Sequence, residues 1–65
     1  MIKNNLQKYR NYYDFTQTQL AKQLKISVYL IRKIEFNYYP RYPIRSRICE
    51  FFNISSYQMF YIEED

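Results

Sequence analysis

The sequence contains no glycine, no histidine and no tryptophan, and it has a single cysteine, Cys49. Without glycine there is no Gly-rich loop of the kind that wraps closely around a phosphate group. Without histidine, catalysis by an imidazole base and the usual His/Cys zinc sites are excluded. One cysteine excludes a disulfide within the chain, and we interpret Cys49 as a packed, inert thiol in a reducing compartment.

The sequence shows no grouping of acidic, basic or nucleophilic residues that is typical of a catalytic site. Glu63, Glu64 and Asp65 are adjacent, so they make a poor acid–base pair. No set of residues combines a nucleophile, a base and a group that orients the base. We therefore predict that the protein is not an enzyme and that it uses no metal, cofactor or small-molecule ligand.

Long apolar runs are also lacking. The first ten residues do not have the continuous apolar stretch of a signal peptide, and no run in the chain is long enough to span a bilayer. These observations predict a cytoplasmic protein without a membrane partner.

The composition is typical of a folded protein, and the charged residues are unevenly distributed along the chain. Of the 65 residues, 48% are apolar and 22% aromatic, which predicts one domain over residues 1–65. Residues 1–47 contain all ten basic residues and two acidic ones, a balance of +8, whereas residues 48–65 contain four acidic residues and no basic one. This distribution favours a polyanionic partner, and the alternative is an ordinary solvated surface.

The apolar spacing is helical almost throughout, which predicts an all-α fold of five short helices. The first helix has an apolar face formed by Ile2, Leu6, Tyr9 and Tyr13. The fourth and fifth helices are marked by residues that start or stop helices. These are Pro43, Asn53, Ser55 and Gln58.

Two helices with clear start signals lie within residues 16–36. Thr16 and Gln19 form a capping box, and Ser27 supplies a hydroxyl to the first turn of the next helix. The earlier helix ends near Lys25, so only two or three residues separate the pair. Such a pair predicts a helix-turn-helix, whose second helix enters the major groove of double-stranded DNA while the first lies across the backbone.

The third helix, which we predict to run to about Phe36, has an exposed face opposite Ile31 and Ile34. That face consists of Val28, Tyr29, Arg32, Lys33 and Phe36. An arginine or lysine there can donate to guanine O6 and N7, and an apolar side chain can contact a thymine methyl group. Groups suited to phosphate contacts flank this face. They are the helix starts at Thr16 and Ser27, together with Tyr38, Tyr39 and Arg41.

The run T-Q-T-Q-L-A-K-Q-L-K-I-S from Thr16 to Ser27, followed by Ile31, Ile34 and Glu35, resembles the Cro/C1-type helix-turn-helix family. These are phage-repressor-like, single-domain transcriptional regulators of prokaryotes and their viruses. The resemblance covers about residues 5–60 and implies a lambda-repressor-like DNA-binding domain. Lys25 stands where the family usually has glycine in the turn.

The resemblance also implies roles for individual residues. Gln17 takes the place of a glutamine that contacts a phosphate and braces the recognition helix. Arg10 and Glu35 match a buried ion pair found in some members. The implied base-reading positions are Val28, Tyr29, Arg32 and Lys33, and the implied phosphate-contacting segment runs from Asn37 to Arg41.

We therefore predict a sequence-specific transcriptional regulator, acting as a repressor. One alternative is an antitoxin or mobile-element accessory protein that binds DNA. Another is a protein-interaction module that has lost DNA binding.

A recognition helix this short reads only a few base pairs, so we predict a homodimer on two half-sites. Apolar and aromatic residues of the last predicted helix form its expected interface, and the alternative is that they close the monomer core. They are Tyr57, Met59, Phe60, Tyr61 and Ile62.

Overall fold

The computed structural model describes residues 1–64, so Asp65 of the acidic segment lies outside the described residues. Five helices and a two-stranded antiparallel sheet make up the fold. In chain order the elements are β1 (Ile2–Asn4), α1 (Leu6–Tyr12), α2 (Gln17–Leu24), α3 (Val28–Glu35), α4 (Tyr42–Phe52), α5 (Ser56–Met59) and β2 (Phe60–Ile62).

The two strands correct the all-α prediction. The apolar spacing predicts Ile2 in the first helix and Phe60 and Ile62 in the last, but these residues pair as strands, with Ile2 opposite Ile62. The Asn5 N–H donates to the Met59 carbonyl at 2.8 Å, which extends the ladder by one bond. A three-residue strand is too short to show an alternating pattern, so the helical spacing of neighbouring residues concealed it.

The start of α2 has the capping box that the sequence predicts. The Thr16 hydroxyl accepts from the Gln19 N–H at 3.0 Å, and Gln19 Oε1 accepts from the Thr16 N–H at 2.9 Å. At the start of α3, the Ser27 hydroxyl accepts from the Leu30 N–H at 3.1 Å. These bonds satisfy N–H groups that have no partner within the helix, and they fix where α2 and α3 begin.

Because the chain has no glycine, other residues adopt positive φ where helices end. Lys25 has φ 58°, and its N–H donates to the Lys22 carbonyl at 3.3 Å. Asp14, Asn37 and Asn53 occupy the same region of backbone space just beyond α1, α3 and α4. Asparagine and aspartate tolerate it readily, whereas for lysine it costs about 1 kcal/mol.

The core draws on all five helices and on β2. Its members are apolar and buried: Leu6, Leu20, Ala21, Leu24, Ile31, Ile34, Ile48, Cys49, Phe52, Met59 and Phe60. Ile31 and Ile34 anchor the inner face of α3, so the opposite face of this helix is turned to solvent. Within residues 1–64 no helix is both long and apolar enough to cross a membrane.

The last residues divide between core and surface, which corrects part of the predicted dimer interface. Met59 is fully buried and Phe60 is 7% exposed within a single chain, so their side chains are not available to a partner. Tyr57 and Ile62 are 80% and 70% exposed, and Tyr61 is also exposed. Only these three of the five predicted interface residues remain on the surface.

Candidate nucleic-acid interface

The outer face of α3 carries three exposed side chains that bear charge or a hydroxyl. Tyr29, Arg32 and Lys33 are exposed, whereas Ile31 and Ile34 on the same helix are fully buried. This separation follows from the helical repeat, which places residues three and four apart on one side. The helix therefore projects two cations and a phenol away from the core.

The remaining apolar residues of α3 are divided between surface and interior. Val28 and Leu30 are half-buried and pack against the core, so only part of each side chain is accessible beside Tyr29. Phe36, just beyond the helix, is 88% exposed. Val28 lies in the first turn of α3, and part of its side chain is accessible to solvent.

An ion pair joins α1 to the end of α3, as the resemblance implies. Arg10 Nε donates to Glu35 Oε2 at 2.7 Å, and Arg10 Nη2 donates to Glu35 Oε1 at 3.2 Å. Arg10 Nη1 also donates to the Phe15 carbonyl at 2.9 Å. The two side chains are only 11% and 7% exposed, so the pair is structural and its charges are not available to a ligand.

Gln17, in the first turn of α2, connects this ion pair to the surface of α3. Its Nε2 donates to Glu35 Oε1 at 3.0 Å, and its Oε1 accepts from Arg32 Nε at 3.3 Å. The Arg32 guanidinium also lies 5.6 Å from the centre of the Tyr29 ring, within the range of a cation–π contact. Arg32 is thus exposed yet contacted from two sides.

Lys33 is positioned by the segment that follows α3. Its Nζ lies 4.2 Å from the centre of the Tyr38 ring, a close cation–π contact. The Tyr38 N–H donates to the Lys33 carbonyl at 3.0 Å, and the Asn37 N–H donates to the Ile34 carbonyl at 2.8 Å. The turn at Asn37 therefore brings Tyr38 back beside the last turn of α3.

The rest of the predicted phosphate-contacting segment has mixed roles. Tyr39 packs edge-on against Phe60, with the Arg45 guanidinium 4.4 Å from its ring centre, so its ring joins this segment to β2. Pro40 is fully buried. Arg41 is exposed, and its carbonyl accepts from the N–H groups that begin α4. Arg41 remains available for a phosphate contact.

The hydroxyls of Thr16 and Ser27 accept hydrogen bonds from their own helices. Each hydroxyl still has its proton to donate, which is the bond that a phosphate oxygen requires. Both groups lie at the start of an eight-residue helix, where the helix dipole favours an anion. Their capping role and a phosphate contact are therefore compatible.

Cys49 lies in the core beside the groove between α4 and α5. Burial raises the pKa of its thiol above the ordinary value, and nearby Arg45 partly opposes that effect. A thiol with a raised pKa carries little thiolate near neutral pH and is a weak nucleophile. The geometry is that of a packing residue.

Sequence reasoning missed several polar side chains that organise the backbone around the interface. Asn4 Nδ2 donates to the Ile34 carbonyl at 2.6 Å, and Arg47 Nη1 donates to the Leu24 carbonyl at 3.1 Å. These bonds join residues 30 and 23 positions apart, which a local pattern cannot reveal. The Arg32–Glu35 spacing of three was a usable signal, because it places both side chains on the side of α3 that Gln17 reaches.

Comparison with known proteins found no matching family model and no matching curated protein.

Proposed function

We propose that this chain is a helix-turn-helix protein that binds double-stranded DNA sequence-specifically and acts as a transcriptional repressor in the cytoplasm. The observation that carries the proposal is the outer face of α3. This helix follows a capped α2 after three residues, is anchored by buried isoleucines, and presents Tyr29, Arg32 and Lys33 on its exposed side. A helix presented in this way has the shape and the donors that the major groove accepts.

In this proposal, affinity and specificity come from different residues. Exposed cations such as Lys33 and Arg41, with the polar starts of α2 and α3, contact phosphates and release counterions. Arg32 donates to guanine O6 and N7, and Tyr29 contacts a neighbouring base or phosphate. The bound protein then blocks access of polymerase to the promoter.

The first test is selection of preferred duplexes from a randomised DNA library, followed by fluorescence anisotropy across a salt series. We expect a recurrent sequence, tight binding to it, and a steep fall in affinity as salt increases. Equal weak binding to selected and scrambled duplexes would contradict sequence-specific recognition. Selection without any recurrent sequence would do the same.

Variants locate the interface. Arg32→Ala should lower affinity for the selected duplex by about 1–3 kcal/mol and relax base preference. Lys8→Ala on α1 removes the same charge from outside α2 and α3, and it serves as the control. If Arg32→Ala and Lys33→Ala both leave binding and base preference unchanged, as Lys8→Ala should, α3 is not the reading helix.

We also propose that the protein binds as a homodimer through the exposed residues Tyr57, Tyr61 and Ile62. They line one surface groove together with Ile2 and Tyr39. Ile62→Asp places a charge in this groove, so it should shift the sedimentation equilibrium to monomer and weaken DNA binding while α3 stays intact. An unchanged dimer would place the interface elsewhere.

A second candidate function, a protein-interaction module, is favoured by one observation. Phe36 is the most exposed large apolar side chain of the described residues, and it lies beside the outer face of α3. Exposed aromatic side chains frequently anchor protein interfaces. This candidate predicts no salt-dependent DNA affinity, and it predicts a protein complex that Phe36→Ser abolishes.

A further inference from the structure

We propose that Phe36 reads the C5-methyl group of a pyrimidine in the major groove, so that binding at one position of the site responds to the presence of that methyl group. Thymine carries this group, and so does 5-methylcytosine. The inference rests on the proposed function. It assigns a specificity role to a residue outside the base-reading positions that the resemblance implies.

Phe36 follows the last residue of α3 but keeps the helical direction. Its N–H donates to the Arg32 carbonyl at 3.1 Å, which is the bond to the fourth preceding residue that defines an α-helix. The chain leaves the helix only at Asn37, where φ is 73° and the N–H donates to the Ile34 carbonyl at 2.8 Å. The Phe36 side chain therefore extends the outer face of α3 by one position.

Tyr29 and Phe36 point in nearly the same direction on that face. Seven residues make almost two full helical turns, so the two side chains differ in direction by about 20°. Arg32 and Lys33 lie between them along the helix axis, one on each side. At a rise of about 1.5 Å per residue, Phe36 lies about 10 Å beyond Tyr29, which corresponds to about three base-pair steps.

The chemistry of the major groove limits what the Phe36 ring meets there. Base edges present ring nitrogens, carbonyl oxygens and amino groups, and phosphates border the groove, so almost every accessible group is polar. The C5-methyl group is the apolar group that base pairs present in this groove. Phe36 is 88% exposed, and its ring neither donates nor accepts hydrogen bonds. Its favourable contact in the groove is therefore with a methyl group.

The charges near Phe36 favour DNA as the partner of this surface. Arg32 and Lys33 precede it by four and three residues, on the same side of the helix. Within residues 1–64 neither cation forms a salt bridge, whereas Glu35 is paired with Arg10 and nearly closed to solvent. The outer face thus combines an apolar ring with uncompensated positive charge, and a duplex complements both.

A methyl contact adds specificity without adding charge. Burial of one methyl-sized group is worth about 0.8 kcal/mol, which is about a fourfold change in affinity. Because the Phe36 ring is uncharged, this contact releases no counterion and does not change the salt dependence of binding. Both properties distinguish it from the contacts of Arg32 and Lys33.

The test removes the methyl group without changing base pairing. Each thymine of the selected duplex is replaced in turn by deoxyuridine, and binding is measured by fluorescence anisotropy for the wild type, Phe36→Ala and Tyr12→Ala. Tyr12 lies on α1 and is 77% exposed, so its truncation is the matched control for loss of an exposed aromatic ring. Circular dichroism melting confirms that each variant is folded at the assay temperature.

We expect deoxyuridine at one thymine to weaken wild-type binding by about fourfold. The same replacement should have no effect on Phe36→Ala, which should bind the thymine duplex at least about fourfold more weakly than the wild type, with an unchanged salt slope. Tyr12→Ala should bind like the wild type and keep the deoxyuridine effect.

A second arm tests the methyl group on the other pyrimidine. The sensitive T·A pair is replaced by C·G, with cytosine either unmethylated or methylated at C5. The wild type should bind the methylated duplex about fourfold more tightly than the unmethylated one, and Phe36→Ala should bind the two equally. Equal binding of both duplexes by the wild type would show that the methyl group is not what is read.

Three further results would overturn the inference. The first is a selected duplex in which no thymine is sensitive to deoxyuridine. The second is a Phe36→Ala variant that keeps the sensitivity at every position, because another side chain then reads the methyl group. The third is Phe36→Ala with full DNA affinity, which would leave the ring for a protein partner. A wild-type protein that binds every duplex equally contradicts the proposed function itself, whereas selective binding that ignores methyl groups contradicts this inference alone.

Discussion

The α2–α3 region and the α5–β2 segment are stabilised in different ways. Between Thr16 and Glu35, polar side chains determine where each helix begins and how α1, α2 and α3 are joined. Between Ser55 and Ile62, one short helix and one short strand are held by burial of Met59 and Phe60 and by pairing with β1. Both regions bury apolar side chains in the core, but side-chain hydrogen bonds also link the helices of the first region, whereas the second region is joined to the rest of the chain by apolar contact and by strand pairing.

Under the proposed function, this difference separates the DNA-reading surface, which must hold a defined shape, from a segment that closes the core. Hydrogen bonds restrict direction, so they suit a helix whose exposed side chains must meet a partner in fixed positions. Apolar burial is non-directional and supplies stability. Substitutions in the two regions should therefore differ in size and in kind.

The largest effect is expected when the buried ion pair is broken. Glu35→Ala leaves Arg10 without its carboxylate in a nearly closed site, and it should destabilise the fold by about 3–5 kcal/mol. Urea denaturation followed by circular dichroism measures this loss. Glu50→Ala removes an exposed carboxylate that makes no salt bridge within residues 1–64, and we expect a change below about 0.5 kcal/mol.

Truncation of the core in the C-terminal segment should be the next largest effect. Met59→Ala removes a fully buried side chain and should cost about 2–5 kcal/mol in unfolding free energy. Tyr57→Ala truncates an exposed side chain two residues away. It should change the free energy of unfolding of the monomer by less than about 0.5 kcal/mol. Equal effects in thermal melts at low protein concentration would contradict the division between core and surface.

Removal of a helix cap in the α2–α3 region should have a smaller effect. Ser27→Ala deletes the hydroxyl that accepts from the Leu30 N–H, and we expect a loss of about 1 kcal/mol. Ser56→Ala is the control, because the Ser56 side chain makes no hydrogen bond within residues 1–64. If the denaturant midpoints of Ser27→Ala and Ser56→Ala fall equally, the loss of stability at Ser27 does not come from the helix cap.

The smallest expected effect is a gain in stability. Lys25 has φ 58°, and Lys25→Gly relieves that backbone conformation, so stability should rise by about 0.5 kcal/mol after the added freedom of the unfolded chain is subtracted. Lys22→Gly, within α2, should instead lower stability by about 1 kcal/mol. Differential scanning calorimetry should show melting temperatures that move in opposite directions.

The same division explains which parts of the fold could be predicted from sequence. The bounds of α2 and α3 were predictable because their signals, at Thr16, Gln19 and Ser27, lie within one helical turn of what they control. The end of α4 was predicted for a similar reason, since Asn53 adopts the left-handed conformation there. The strands escaped prediction because Ile2 and Ile62 become neighbours only in the folded chain.

The candidate site was predictable to a similar extent. Helical spacing was enough to place Tyr29, Arg32 and Lys33 on the outer face of α3, and the family resemblance anticipated the contact between Arg10 and Glu35. The resemblance implied that Gln17 braces the third helix, but its two bonding partners, Glu35 and Arg32, depend on how α2 packs on α3 and were not specified by the sequence.

The strand pair also has a consequence for the order in which the molecule assembles. It joins Ile2 to Ile62, two positions that span almost the whole chain, whereas the capped turns form between residues three apart. Closing so long a loop is entropically unfavourable until the intervening helices have shortened it. The sheet should therefore form after the folding transition state, so that substitutions at Ile2 or Ile62 accelerate unfolding and leave the folding rate nearly unchanged.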